Sequence, residues 1–211
     1  KDLAWVEGVQ NAQSIEFMVE LLPTIHWLLS ERWRGETFTV LDVGTGTAAG
    51  ANLLASLYAG DFFGPRLRVE GIELEPVYAR YAPARFPLVD YRVGDVLDLP
   101  LSPAWDLVVC SAVVEHVADP VAFVRHLAAI ARHWVVVQTP WREYDLIEGH
   151  ANTIDDAFLA HVRAHAHFVL ESPAFRDVHG ARKECVIFLV AGEDPWPLPS
   201  APPDRFVALR R

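Results

Sequence analysis

Cysteine is scarce in this chain: Cys110 and Cys185 are the two in 211 residues. Both stand in apolar runs of strand character, which predicts buried free thiols rather than a disulfide and fits a reducing, cytoplasmic setting. No apolar run reaches the length of a membrane span and no signal-peptide pattern is visible, so no membrane partner is expected. The sequence opens on Lys1 rather than Met, which leaves open what precedes it. Positive charge is short as well. Lys and Arg number 18 against 28 Asp and Glu, a formal −10 that speaks against a broad nucleic-acid footprint. Neither an internal repeat nor a second domain is legible. With 52% hydrophobic residues, the length suits one α/β domain with a real core.

What is present centres on residues 38–50, FTVLDVGTGTAAG. Phe38, Val40, Leu41 and Val43 have the apolar, β-branched character of a strand buried on both faces. Gly44 and Gly46, around Thr45, let the backbone turn sharply and bring its N–H groups close to a ligand. Ala48, Ala49, Ala51, Leu53, Leu54 and Leu57 then read as a helix whose positive N-terminal end favours anionic groups. A glycine turn alone suits many nucleotide sites. Asp42, just before the turn, is more selective: it would repel a pyrophosphate and favours a cationic or donor-rich ligand.

The remaining segments alternate. Helical spacing runs from about residue 4 to 33, with Pro23 expected to divide it into two helices. Residues 67–74 read as a second strand, with Glu73 and Leu74 at its C-terminal end, where ligands bind in open α/β sheets. A carboxylate at Glu73 suits the two hydroxyls of a ribose. Residues 89–93 make a third strand before Gly94, Asp95 and Val96, and residues 107–110 a fourth, ending at Ser111. Residues 121–132 are an amphipathic helix with Asp119 as N-cap and Pro120 in its first turn. Residues 133–138 form a fifth strand, 154–165 a helix, and 167–171 and 184–190 two further strands. Between them, residues 141–153 make a polar, aromatic loop at the ligand edge, with Trp141 and Tyr144 as candidate walls of an acceptor pocket. Five prolines mark residues 193–203 as extended.

Together these blocks resemble the class I S-adenosylmethionine-dependent methyltransferases. The resemblance runs continuously over residues 38–140 and rests on the order of its motifs: Asp42 with the glycine turn, Glu73, Gly94-Asp95-Val96, and Glu115-His116 followed by Asp119-Pro120. The last block is similar to that of small-molecule methyltransferases, including those of quinone biosynthesis. Ala48 departs from the pattern, standing where a third glycine is common. The resemblance implies a Rossmann-like α/β fold: a seven-stranded, mostly parallel sheet with an antiparallel C-terminal strand and helices on both faces. It implies one domain over residues 1–193, with an N-terminal helical lid at 1–34 to which Trp5, Gln10, Gln13 and Phe17 belong, and an extended tail at 194–211. It implies S-adenosylmethionine as cofactor, held by Asp42, Gly44, Thr45, Gly46, Glu73, Leu74, Asp95, Val96 and Ser111, with Asp95 and the Val96 backbone on the adenine.

The expected reaction is methyl transfer to an oxygen or nitrogen of a small-molecule acceptor by a monomer or homodimer. A general base is then needed, and His150 and His116 are the candidates. Each also has a structural reading, His116 as a loop-orienting residue and His150 as a surface one. Some methyltransferases acting on small RNAs or catechols hold Mg²⁺ through a Glu-x-x-Glu-His segment and a later histidine. Here Ala112 stands at the first carboxylate, so no metal is expected and turnover should survive a chelator. Three other readings remain: a nicotinamide dehydrogenase, which Asp42 and Glu115-His116 oppose, a non-catalytic adenosylmethionine-binding subunit, and an RNA or protein methyltransferase.

Overall fold

The computed structural model describes residues 2–32, 35–60, 62, 64–177 and 180–200. Seven strands form one sheet: β1 (Thr37–Val43), β2 (Arg66–Glu73), β3 (Val89–Val93), β4 (Trp105–Ser111), β5 (Ala131–Pro140), β6 (Ala166–Arg176) and β7 (Arg182–Ala191). Their spatial order is β3-β2-β1-β4-β5-β7-β6. The first five run parallel, and β7 pairs antiparallel with both β5 and β6. This is the Rossmann-like, mostly parallel sheet the sequence implies, closed by an antiparallel C-terminal pair. β1, β4, β5 and β7 are its apolar centre, and two core clusters, one per face, show that both sides are covered.

The chain order reverses between β1 and β4, which opens a crevice beyond their C-terminal ends. The glycine turn after β1, Ser111 and both candidate histidines gather there.

A helical turn, α1 (Leu3–Trp5), and a π-helical turn over Val6–Gln10 lead into α2 (Asn11–Leu29). α2 is one continuous helix with Pro23 inside it, not two helices. The reason lies in where the lost hydrogen bond falls. Proline frees the carbonyl of Val19, which stands 45% exposed, so water satisfies it, while Leu21, Ile25 and Leu28 on the opposite face are wholly buried. Trp33, the expected end of this helical stretch, lies outside the described residues, as do positions 201–211 of the tail.

α2 packs against α3 (Ala49–Leu57) through Gly50. A Cβ there would come within 2.3 Å of the Ser14 carbonyl and 2.9 Å of Met18 Cβ. Gly50→Ala should therefore push α2 off the sheet and cost about 1–3 kcal/mol, read in a urea unfolding curve. Unchanged stability would mean that the two helices part without loss.

The other helices are short. α4 (Tyr81–Arg85) follows a 3₁₀ turn over Pro76–Tyr78, and α6 (Asp156–His161) is half the length that the sequence suggests. α5 (Pro120–Ile130) starts as its sequence dictates, with the Asp119 carboxylate accepting from the Ala122 N–H at 2.9 Å and Pro120 at the first position. Past β7 the chain stays on the body: the Asp194 N–H donates to the Arg132 carbonyl, and buried Trp196 meets Phe38 edge-to-face and lies tilted against His133. Both cysteines are buried thiols outside any disulfide, and burial pushes the Cys110 thiol well above its ordinary range, leaving it unreactive. No helix among the described residues is long and apolar enough to cross a membrane.

Candidate active site

A cavity of about 500 Å³ occupies the crevice. Its floor is the turn after β1, with Asp42, Gly44, Thr45, Gly46 and Thr47. One wall is Gln10 of the π-helical turn with Gln13, Ser14, Phe17 and Met18 of α2. The far side carries Ser111, Glu115, His116 and His150. So Asp42, the glycine turn, Ser111 and both candidate histidines share one space.

The turn is built for close approach. Gly44 and Gly46 have φ of +72° and +57°, and a Cβ at Gly46 would meet nothing within 4 Å, so its open side can admit a ligand against bare backbone. Ala48 sits left-handed as well, at φ 64°, carrying strain of about 1–2 kcal/mol that a glycine would avoid. Thr45 is buried, and its hydroxyl donates to Asp42 Oδ2 at 2.6 Å. Burial raises the Asp42 carboxyl to about 7, the Thr45 hydrogen bond opposes this, and the nearby Glu73 charge adds to it. The buried Thr47 hydroxyl faces the same cavity with no hydrogen-bond partner among the described residues. A raised, buried carboxyl, an orphan hydroxyl and bare backbone fit a donor-rich cationic ligand such as the methionine end of S-adenosylmethionine.

The remaining expected cofactor residues lie outside the cavity lining. Glu73 joins it through the turn, its Oε2 accepting from the Gly46 N–H at 2.8 Å and its Oε1 from the Glu75 N–H at 3.1 Å. Leu74 is 62% exposed and Val96 is buried. Asp95 caps the short turn Val96–Asp98, accepting from the Leu97 N–H at 2.9 Å.

Behind Ser111 runs a buried polar chain. The Ser111 hydroxyl meets Gln138 Oε1 at 2.8 Å, and Gln138 donates in turn to the Glu20 carboxylate, which also takes the Ser172 hydroxyl at 2.7 Å. This links α2, β5 and β6 beneath the cavity.

On the far side, Glu115 is 1% exposed, and its Oε2 accepts from the Thr139 hydroxyl at 2.9 Å, while Oε1 has no partner among the described residues. Burial raises its pKa, with hydrogen bonds and the two nearby histidines opposing. The loop 141–153 is tied onto this turn: the Ala151 N–H donates to the Glu115 carbonyl at 2.7 Å, and the Asn152 amide to the Val117 carbonyl at 2.6 Å. That brings His150 edge-to-face with His116, ring centroids 4.8 Å apart.

Both rings are oriented through Nδ1. His116 donates from Nδ1 to the Gly149 carbonyl at 2.8 Å, and His150 from Nδ1 to the Glu143 carboxylate. Each acceptor can only accept, so each Nδ1 carries the proton and each Nε2 keeps its lone pair. Glu143 was not legible in the sequence. It is buried, which works against ionisation, yet hydrogen bonds from Lys183 and His150 hold its pKa below the ordinary value. Lys183 arrives from β7, and no spacing in the chain announces that meeting.

Two aromatic expectations are corrected. β5 extends to Pro140, so Trp141 sits at a strand end, where its N–H donates to the Glu184 carbonyl at 3.0 Å. Its ring is buried in the core and stacks toward His167 instead of walling the cavity. Tyr144 is 68% exposed and lines not this cavity but a neighbouring one, which shares Glu143, Ile147 and Lys183 with it.

Comparison with known proteins agrees with this geometry. Residues 41–133 match the family described as "Methyltransferase domain". A Mycolicibacterium smegmatis protein named "Probable S-adenosylmethionine-dependent methyltransferase" is 35% identical over 106 residues, 49% of this chain. The matched stretch spans 38% of that relative's length. Among solved structures, the N-methyltransferase NodS from Bradyrhizobium japonicum, in complex with S-adenosyl-L-homocysteine, superposes with a TM-score of 0.61 at 14% identity, over 84% of this chain and 86% of that one. A complex of the Haloferax volcanii Trm112 methyltransferase activator with a methyltransferase gives a TM-score of 0.63 at 16% identity, over 90% of this chain and 97% of that one. At such identities these two likenesses are of fold. Motif order, cavity and matched stretch agree: residues 41–133 are similar to a methyltransferase domain, and the cofactor this similarity points to is S-adenosylmethionine.

Proposed function

We propose that this chain transfers a methyl group from S-adenosylmethionine to an oxygen or nitrogen of a small-molecule acceptor, working as a monomer or homodimer. One observation carries the reading: the glycine turn and two imidazoles with free Nε2 atoms open into the same cavity. S-adenosylmethionine supplies a methyl group already activated by its sulfonium. What the chain must do is align an acceptor, keep water out and receive its proton. The helical segment ending in α2, with Gln10, Gln13 and Phe17 over the cavity, serves as the lid. His150 takes the proton on Nε2, with Glu143 fixing its tautomer and balancing the charge that develops. His116 is the alternative base. The cavity is flanked by α2 and the 141–153 loop, and its volume of about 500 Å³ suits a metabolite as acceptor. Incubation with methyl-labelled cofactor and a panel of hydroxyl and amine metabolites tests this. Label in a small product supports the reading. Label found only in added RNA or protein overturns the acceptor class, and none in either favours a non-catalytic binding subunit.

In the same reading Asp42 faces the cationic end of the cofactor, Glu73 takes the ribose hydroxyls, Asp95 and the Val96 backbone take the adenine, and Leu74 and Ser111 line the way between. Glu73→Ala should weaken cofactor binding by about 1.5–3 kcal/mol in calorimetry, because a charged acceptor for two hydroxyls is lost. An unchanged dissociation constant would take the ribose away from Glu73.

A further inference from the structure

The histidine pair has a third member. Glu115, His116 and His150 each offer one ligand atom, and these atoms lie within 4.8 Å of one another. We propose that they form a binding site for one divalent transition ion of borderline softness, best matched by Zn²⁺, at the acceptor side of the cavity.

Four features support it. First, Glu115 keeps one carboxylate oxygen without a partner among the described residues although the side chain is buried and lines the cavity. Leaving a buried carboxylate oxygen unpaired is costly, and an ion there removes that cost. Second, both histidines spend Nδ1 on protein acceptors and so present Nε2, the atom a metal takes from a neutral ring. Third, Glu143 on the His150 Nδ1 makes a carboxylate–histidine pair of the kind that orients metal ligands, and Lys183 hydrogen-bonds that carboxylate in turn. Fourth, the site opens into the cavity, so positions remain for water or substrate.

The donor set decides the metal. Two imidazole nitrogens and one carboxylate suit Zn²⁺ and its neighbours, whereas Mg²⁺ and Ca²⁺ want mostly oxygen. Ala112, which supplies no ligand, removes the carboxylate that a hard ion would need. Ala112 thus speaks against a hard ion, while the three remaining groups suit a different class. Ligands on a tetrahedral ion at about 2.1 Å stand about 3.4 Å apart, so loading draws the three groups together by about 1 Å. With the ion in place the imidazoles are ligands rather than bases, and an acceptor hydroxyl bound to the open position loses its proton more readily.

The test uses the full cofactor-free chain and Zn²⁺ alone. Titration against a colorimetric chelator should show one Zn²⁺ per chain, bound at about micromolar affinity or tighter. His116→Ala and His150→Ala should each weaken it at least about tenfold, and Glu143→Gln by about 10–100-fold through the lost orientation. Histidine ¹⁵N spectra of the unaltered chain need no variant. The first equivalent should move the Nε2 signals of His116 and His150 alone among the nine histidines. The proposal is overturned by non-saturable binding, by other histidines responding first, or by undiminished affinity in a folded His116→Ala/His150→Ala double variant. It does not rest on the methyl-transfer reading. A chain that binds Zn²⁺ but methylates nothing defeats that reading alone, and one that methylates without binding Zn²⁺ defeats this one alone.

Discussion

His150→Ala should lower turnover by about 10²–10⁴-fold once an acceptor is in hand, with cofactor affinity nearly unchanged. The split is expected because His150 hydrogen-bonds to Glu143, while Asp42, Thr45 and Gly46 keep their own partners. His116→Ala, made in parallel, tests the competing assignment. It also releases the hydrogen bond to the Gly149 carbonyl, so part of any loss reflects the freed loop. Chelation then separates the two chemistries. Full turnover in EDTA leaves His150 as a base held by Glu143. Turnover lost in EDTA and restored by Zn²⁺ makes it a ligand. Near-normal turnover in His150→Ala moves the proton to His116, or to no residue if the acceptor is already ionised at the working pH.

Asp42→Asn should separate binding from stability in opposite directions. Removing a buried carboxylate that faces a cation costs about 2–5 kcal/mol of affinity, which calorimetry would read as a large loss of adenosylmethionine binding near about pH 8. In the unaltered chain the carboxyl is raised from 3.8 to about 7, burial being the main cause. Below about 7 it is protonated in the free protein, so a bound cation must displace a proton, and affinity should fall as pH drops through that value. Asparagine has no such proton, and its weaker binding should be flat in pH.

The linkage to folding has the other sign. A carboxyl with a raised folded pKa holds more protons folded than unfolded between 3.8 and about 7, so its contribution to stability shrinks as pH rises through that window. Asp42→Asn removes this liability while its side-chain carbonyl can still accept the Thr45 hydroxyl. The variant should therefore melt above the unaltered chain at about pH 8 and near it at about pH 5. Equal melting at both would show that Asp42 is not held at a raised pKa, and pH-independent binding in the unaltered chain would remove it from the cationic end.

Sequence alone settled the parts whose causes are local. A both-faces-buried strand, two glycines and an alanine-rich helix define the β1–α3 turn within a few consecutive residues, because strand period, positive φ and helix start each leave a mark there. Asp119-Pro120 announced the start of α5 for the same reason. The seven-stranded, mostly parallel sheet was implied by the family resemblance that the motif order carries, and the structure has it. What the tertiary structure decided involves partners that no spacing connects. Pro23 stays inside α2 because the carbonyl it frees faces water, a matter of which face the sheet covers. Trp141 turns into the core because β5 runs further along β7 than its own residues show. Glu143, His150 and Lys183 meet because a loop tied down by Asn152 folds back over a strand that begins at Arg182. Glu115 becomes a buried carboxylate with a spare oxygen only once Thr139 and the loop close around it, and burial by distant chain is a property that no local pattern encodes.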